Sequence, residues 1–574
     1  MGKKVVIIGA VALGPKVACR AKRLDPDAEV LMMDQGELIS YGGCGIPYFI
    51  SGDVSSADEL RNTSFHMLRD VKFFKDCKDV DVLVNTKALS IDRKEKIVVA
   101  KDLKSGEERR FPYDKLVIAT GSRPKRLNVP RSDLSGIYTI SDLEKAIQIR
   151  NDIASGKVEK AVIIGAGAIG LEIAEALSDM WGIETHVIEI MDQILPGIIS
   201  PDMAKMAQHH MEEHGVKFYL SERVISFEGK ERVERVITDK RSIDADLVIV
   251  SIGVEPNSDL AKEAGLETTS FGGIAVNEYM QTSDPDIYAG GDCVSIKNLI
   301  TGKPGYFPLG SLANRQGRVI GTNIALGNRE KFEGAVGSFV IKLFDIAVAS
   351  AGISVQTAKK EGIDAFSAFV AQFDRAHFFP EKEMMFLELV VEKNTGRVLG
   401  IHGLGRSKDA VMGRIGAVAG LLKHKPHISE ISNFELPYSP PFSSAMDILN
   451  AVANVAENIM EGRAEMISLS RFADWWINRE KEDILFLDCR EWGNAGPYVE
   501  KYPDIWKNIP QGQLRRRIDE VPKDKKIVLI CNTGVRSYEA QLILKQNGFK
   551  NTYNFQGGMA ALKEWGFDIL GSEN

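Results

Sequence analysis

The chain of 574 residues is 44% hydrophobic and 26% charged, the balance of an ordinary globular protein, and it is too long for one core, so about three to five domains are expected. A formal net charge of -7 argues against a polyanion partner, and hence against nucleic acid. No apolar run approaches the ~18 residues of a membrane helix, and MGKKVVIIGA runs directly into a strand with no leader or acylation signal. The six cysteines lack the spacing of a metal site or a disulfide framework. A reduced cytoplasmic setting without membrane contact is expected.

A β-branched run from Lys3 to Ile8 leads into GAVALG, then a helix pattern to Leu24 and a buried strand ending at Asp34. Such a glycine turn aims helix amides at a pyrophosphate, and an acidic residue roughly 20 positions on holds a ribose. Gly9, Val11 and Gly14 form the turn, with Val11 in place of the middle glycine, and Asp34 is the acidic residue. Taken alone, a plain strand-to-helix turn explains this segment too. Two more buried strands end in small-residue turns, YDKLVIATGSRP at Gly121 and TSDPDIYAGGDC at Asp292. With these in order, the chain resembles the flavoprotein disulfide reductases with two dinucleotide-binding domains. The resemblance implies FAD, with Asp292 bonding its ribityl chain.

VEKAVIIGAGAIGLEIAEAL carries an intact GxGxxG at Gly165, Gly167 and Gly170, and the next strand ends near Glu189. A carboxylate there accepts from an unmodified ribose and repels a 2'-phosphate, favouring NADH, with NADPH the alternative. DLVIVSIGVEPN resembles the family's return to the flavin domain. Ala168 stands where relatives often carry an aromatic gate over the flavin, and Glu172 matches a family glutamate near the nicotinamide.

SYGGCGIPY, Ser40 to Tyr48, centres on Cys44, and the stretch to Val54 resembles the active site of coenzyme A disulfide reductases and of the related NADH oxidases, peroxidases and persulfide reductases. The likeness runs from residue 1 to about 460. Relatives that use an internal disulfide carry CxxxxC, whereas no cysteine lies five residues from Cys44. The redox partner is then external: a mixed disulfide, a persulfide, or a sulfenic acid formed by peroxide. A nearby helix N-terminus is expected to favour the Cys44 thiolate. Cys19, Cys77 and Cys293 read as small buried apolar residues. The resemblance implies coenzyme A as a candidate thiol, with Arg20, Lys22 and Ser40 as tentative substrate contacts, although Gly43 replaces the usual Asn.

The segments FVIKLFDIAVASAGISVQTAKKEG and FLELVVEKNTGRVLGIHGLG alternate like strands of an antiparallel sheet with a covering helix. They resemble the family's interface domain, which implies a homodimer. Within FELPYSPPFSSAMDILN, Tyr438 matches a tyrosine that reaches the partner subunit's active site, while Met446 and Ile448 depart from the family's Lys and Pro. From Ile467 the chain resembles a rhodanese domain: DILFLDCRE, then a strand, CNTGVRS and a helix. Amides of that loop form an anion cradle, Arg536 adds charge, and Cys531 is the expected persulfide carrier. Arg515 to Arg517 are either a lure for anionic donors or a solvated basic face. His210 and His214, spaced i, i+4, lack an evident third ligand, so the expectation is a solvent-facing helix and no metal.

The expected architecture is α/β: an FAD domain (1–145 and 257–328), an NADH domain (146–256), an α+β dimerisation domain (329–455) and a rhodanese-like α/β domain (467–574). The expected activity passes electrons from NADH through FAD to a Cys44 mixed disulfide or persulfide, reducing persulfide, polysulfide or coenzyme A disulfide. The alternatives are an NADH oxidase or peroxidase using Cys44 sulfenic acid, and an electron-transfer and docking subunit of a larger redox complex.

Overall fold

The computed structural model describes residues 2–571. It forms two compact bodies: the chain up to Asp192 with Gly215–Ala335, and Gln193–His214 with the chain from Val336 on.

In the first body, β1 (Lys4–Ile8), α1 (Leu13–Leu24) and β2 (Glu29–Met33) make the opening βαβ unit. After the Cys44 segment come α2 (Ile46–Ser51), β3 (Asp81–Leu83) and β4 (Lys115–Ile118). A second unit contains β5 (Ile137–Thr139), β6 (Lys160–Ile164), α3 (Ala168–Glu175), β7 (Glu184–Ile188), β8 (Lys217–Tyr219) and β9 (Leu247–Val250). The chain then returns through β10 (Ile287–Ala289) and α4 (Gly310–Leu326). Two parallel sheets result, ordered β10-β4-β1-β2-β3 and β8-β7-β6-β9-β5. Their central strands are buried along nearly their whole length, which is why KVVII, KAVII and LVIV read as continuous apolar runs. In each sheet the strand order reverses at the strand that leads into a glycine turn, β1 or β6, and such a reversal opens a ligand crevice at the strand's carboxyl end. The edge strand Ile137–Thr139 pairs with β9, so the second sheet recruits residues ahead of position 146.

The second body contains an antiparallel sheet of β11 (Phe339–Leu343), β12 (Ile346–Gly352), β13 (Ala365–Phe373), β14 (Met384–Glu392) and β15 (Val398–Gly405), in the order β11-β12-β15-β14-β13. Helices α5 (Lys408–Leu422) and α6 (Ile448–Met460) pack on it. The C-terminal part is a parallel sheet of β16 (Met466–Ile467), β17 (Ile484–Asp488), β18 (Trp506–Asn508), β19 (Lys526–Ile530) and β20 (Thr552–Phe555), ordered β16-β20-β19-β17-β18. Phe472 stacks on Phe555 at 4.5 Å, and Phe486 on Trp506 at 5.5 Å, giving this small domain an aromatic core.

The helix Pro201–Glu213 belongs to this second body. The Asp202 carboxylate accepts from the amides of Leu469 and Ser470 at 3.0 and 3.1 Å. It thereby satisfies donors that open the helix Leu469–Ile477. The solvent-facing reading of this helix is corrected at His210, which is only 2% exposed. Helical period alone could not show which later segment covers that face. Among the described residues no helix is long and apolar enough to cross a membrane.

Candidate active site

The two glycine turns are built alike. Gly9 has a φ of +111°, and a Cβ there would lie 2.1 Å from the Ala119 carbonyl oxygen; Gly165 has a φ of +107°, and its Cβ would lie 2.3 Å from that of Ser251. Only glycine fits either position. The last glycines, Gly14 and Gly170, let α1 and α3 approach so closely that a Cβ would strike the oxygen of Gly9 or Gly165, at 1.9 and 2.1 Å. The middle glycine Gly167 is different, because a Cβ there would meet nothing within 4 Å. That open space before the helix amides fits the approach of a pyrophosphate. Val11, half-buried, takes this position in the first turn.

Each turn is closed by a carboxylate. Asp34 accepts from the amides of Ala10 at 2.7 Å and Gly36 at 2.9 Å. Glu189 accepts from those of Ala166 at 2.8 Å and Met191 at 2.9 Å. Both acidic residues therefore brace the turn, and their remaining lone pairs can serve a ribose. Burial raises the Asp34 pKa despite its two amide donors.

Around Cys44 the first body brings together segments far apart in sequence. Cys44 lies in a single 3₁₀ turn, Gly43–Gly45, directly before α2, and is exposed. A Cβ added at Gly310, the first residue of α4, would stand 3.4 Å from the Cys44 Sγ. The Ser40 amide donates to the Ala10 carbonyl at 2.8 Å, tying the cysteine segment to the first glycine turn. Asp292 accepts from the Ser122 hydroxyl at 3.1 Å, and the Gln316 side chain receives the Gly291 amide at 2.7 Å. Gly121, at a φ of +67°, accepts from the Asn257 amide at 2.9 Å, where Ser122–Pro124 pairs antiparallel with Val254–Pro256. The sequence motifs at Gly121 and at IGVEPN are thus neighbours in space.

The electrostatics around Cys44 differ from expectation. Partial burial raises the thiol pKa most, and the Glu172 and Asp292 carboxylates raise it further; amide hydrogen bonds from Gly310 and Cys44 itself work the other way. The two helix starts do aim amides at the sulfur, but the acidic neighbours and lost water outweigh them. Glu172 also receives the Tyr48 hydroxyl at 3.4 Å.

The tentative substrate contacts on α1 are engaged within the chain. The Arg20 Nε donates to Thr322 at 3.0 Å and the guanidinium lies 3.6 Å from Glu330. Lys22 donates to the carbonyls of Pro26 and Ala28 and pairs with Asp79 at 2.5 Å. These bonds hold α1 to α4 and to the following turn. Gly310, Gln316 and Ser122 were not singled out from sequence. A glycine opening the apolar-periodic run GSLANRQGRVIG was the only signal for the first two.

In the second body Tyr438 is 51% exposed, on a loop that also presents Phe442 and Met446. The Asn450 side chain donates to the Phe434 carbonyl at 2.9 Å, and Arg414 pairs with Asp447 at 2.7 Å, fixing both ends of the loop. Cys531 is buried at the end of β19. Its Sγ receives the Gly534 amide at 3.1 Å and lies 3.1 Å from the Ser537 hydroxyl. That hydroxyl donates to Asn554 at 2.7 Å, leaving a lone pair for the thiol proton. Arg536 is half-exposed on the first turn of the helix that follows. The buried Asp488–Arg490 pair, at 2.6 Å with Trp506 Nε1 donating to the same carboxylate at 3.2 Å, anchors the adjacent strand end. Of the three arginines at 515–517, Arg517 is clasped by Glu520 at 2.6 and 3.0 Å.

Three stretches of the chain match known families. Residues 3–317 match the pyridine nucleotide-disulphide oxidoreductase family, 339–449 its dimerisation domain, and 473–564 a rhodanese-like domain. A NAD-dependent persulfide reductase from A. fulgidus is 40% identical, with a TM-score of 0.91, over 97% of this chain and 99% of that one. An NAD(P)H coenzyme A polysulfide/persulfide reductase of Pyrococcus horikoshii is 33% identical over 79% of this chain and 98% of its own length. An NADH oxidase of Methanocaldococcus jannaschii is 34% identical over the same shares.

Proposed function

The chain belongs to the pyridine nucleotide-disulphide oxidoreductase family, and on that premise we propose that it reduces sulfane sulfur, as a persulfide, polysulfide or coenzyme A disulfide, with electrons carried from NADH through FAD to Cys44. The observation that carries this reading is the pairing of two sulfur-handling sites in one chain: an exposed Cys44 at converging helix starts and a Cys531 cradled by a loop amide. Among the described residues no cysteine is in a disulfide, which suits a thiol that meets its partner on the substrate.

FAD at the Gly9–Gly14 turn, with Asp34, Gly121 and Asp292, and NADH at the Gly165–Gly170 turn, with Glu189, would together supply the electron pair. Cys44 attacks a persulfide R–S–SH at the sulfur bearing R, forming a Cys44–S–S–R bond and releasing sulfide. Two electrons and two protons then return Cys44 as a thiol and free R–SH. The sum, NADH plus a proton plus R–S–SH giving NAD⁺, R–SH and hydrogen sulfide, balances. Partial burial, then the Glu172 and Asp292 carboxylates, raise the Cys44 thiol pKa. The exposed Tyr438 loop suits a homodimer in which Tyr438 of the partner subunit reaches this thiol. Cys531, with Arg536 beside it, collects or delivers sulfane sulfur. Coenzyme A is the candidate R group, and Ser40 a contact for it; Arg20 and Lys22 have little freedom left for that task.

NADH-dependent release of sulfide from a defined persulfide tests the reading. Cys44→Ser should abolish release while flavin stays bound; turnover at the wild-type rate would refute it. Turnover with oxygen or peroxide in place of persulfide would instead favour the oxidase chemistry named for the Methanocaldococcus jannaschii relative.

A further inference from the structure

The helix Pro201–Glu213 turns His210 inward against the hairpin that joins β11 and β12. His210 is 2% exposed, yet neither of its ring nitrogens makes a hydrogen bond. Its Nε2 lies 2.6 Å from the Asp345 Oδ1, in ion-pair reach but without hydrogen-bond alignment. One helical turn on, His214 brings its ring centroid to 4.5 Å from that of His210. The His214 Nδ1 donates to the His210 carbonyl at 2.8 Å, and in that tautomer the one in-plane lone pair of the ring is on Nε2. Ligand atoms of His210, His214 and Asp345 all fall within 4.8 Å of one another.

The hairpin is shaped to this arrangement. Phe344 takes a φ of +53°, an unfavourable conformation for a bulky residue. Its ring stacks on His214 at 4.3 Å and meets His210 at 6.4 Å. Asp345 follows it and is 55% exposed on its side chain, so the cluster has a path from solvent. Arg406 sits 3.2 Å from the other oxygen, Oδ2, leaving Oδ1 as the oxygen turned to the histidine.

We propose that His210, His214 and Asp345 form a binding site for a divalent transition-metal ion, Zn²⁺ being the best match, which staples the helix Pro201–Glu213 to the β11–β12 hairpin. Two imidazoles spaced i, i+4 on a helix with one carboxylate are a borderline-soft N₂O donor set of the kind zinc accepts, with water in the fourth position. The Nδ1 bond to a helix carbonyl is the outer-shell support usual for a metal-bound imidazole, fixing which nitrogen ligates. Donors on bonds of about 2.0–2.1 Å around a tetrahedral ion lie roughly 3.3 Å apart, so the Asp345 Oδ1, 2.6 Å from the His210 Nε2, must draw back by less than about an ångström, and the donors, now all within 4.8 Å of one another, need only small shifts to meet the ion. As Asp345 is in a two-residue hairpin turn at the surface, that adjustment is small. This role is separate from the Cys44 chemistry.

The test uses full-length protein with flavin bound, stripped of metal and titrated with Zn²⁺ and Co²⁺. About one ion per chain is expected. The Co²⁺ spectrum should show ligand-field bands without thiolate charge transfer, and the unfolding temperature should rise with Zn²⁺. His214→Gln and Asp345→Asn, both at exposed positions, should each lose the ion and the temperature rise while keeping flavin and circular dichroism. No stoichiometric binding by wild type would overturn the proposal. So would binding that survives in both variants, or a thiolate signature, since either puts the metal elsewhere. An unliganded His210–Asp345 ion pair predicts that first outcome.

Discussion

Gly310 faces Cys44 so closely that a Cβ at position 310 would stand 3.4 Å from the sulfur. A methyl group there makes ordinary contact, whereas a branched side chain would occupy the volume through which a disulfide sulfur must approach. Gly310→Ala should therefore keep most activity, and Gly310→Val should slow turnover and Cys44 alkylation by roughly tenfold or more, since misplacing reacting atoms by about an ångström costs that much. Equal alkylation rates in the valine variant and wild type would show that Gly310 does not bound the approach path.

Cys44 should react as a thiol of raised pKa. Partial burial and the carboxylates of Glu172 and Asp292 disfavour its negative form. Glu172→Gln removes one of those charges, so the thiolate gains, the pKa falls, and alkylation near neutral pH speeds up. The pH profile of iodoacetamide reaction should shift to lower pH in this variant. A shift to higher pH would mean that Glu172 acts mainly through Tyr48, its hydrogen-bond partner at 3.4 Å.

The two glycines of the second turn make a paired test of cradle against packing. At Gly170 a Cβ would lie 2.1 Å from the Gly165 oxygen, so Gly170→Ala should cost about 1–3 kcal/mol through overpacking. At Gly167 a Cβ meets no protein atom within 4 Å, and its φ of -79° suits any residue. Gly167→Ala should unfold like wild type yet raise the KM for NADH several-fold. Calorimetry and steady-state kinetics on both variants read the two effects separately; an unchanged KM with Gly167→Ala would place the pyrophosphate elsewhere.

These positions also show what the sequence could reveal. Both glycine turns were legible because each is local: a β-branched strand, a glycine turn and a helix in about twenty residues, with the acidic residue at the end of the next strand. Cys44 and Cys531 stood out for similar reasons, each just ahead of a helix start, Cys44 between Gly43 and Gly45 and Cys531 three residues before Gly534. Contacts made across long sequence separations were not legible. Gly310 and Glu172 meet Cys44 only through the fold, and His210 is buried by a hairpin more than a hundred residues later. The engagement of Arg20 and Lys22 was hidden too, because helical spacing shows where a side chain points without showing that Thr322 or Asp79 awaits it.

Around Cys531 the decisive partner is Ser537. Its hydroxyl lies 2.7 Å from the Asn554 side-chain oxygen and 3.1 Å from the Gly534 carbonyl oxygen, and the Asn554 side-chain nitrogen donates to that same carbonyl at 2.9 Å. The loop residue whose amide meets the Cys531 sulfur is thereby held through a buried chain of polar contacts. Ser537→Ala cuts that chain and leaves the Asn554 oxygen without its donor, at a cost of about 1–3 kcal/mol. Thermal unfolding of the rhodanese-like domain within the full chain should reflect this loss. Cyanolysis of sulfur loaded on Cys531 should slow as the loop amide loses its fixed aim, while NADH-dependent reduction of a small persulfide added directly, which needs only Cys44, should continue. If Ser537→Ala lowered both rates equally, sulfur would have to pass through Cys531 on its way to Cys44.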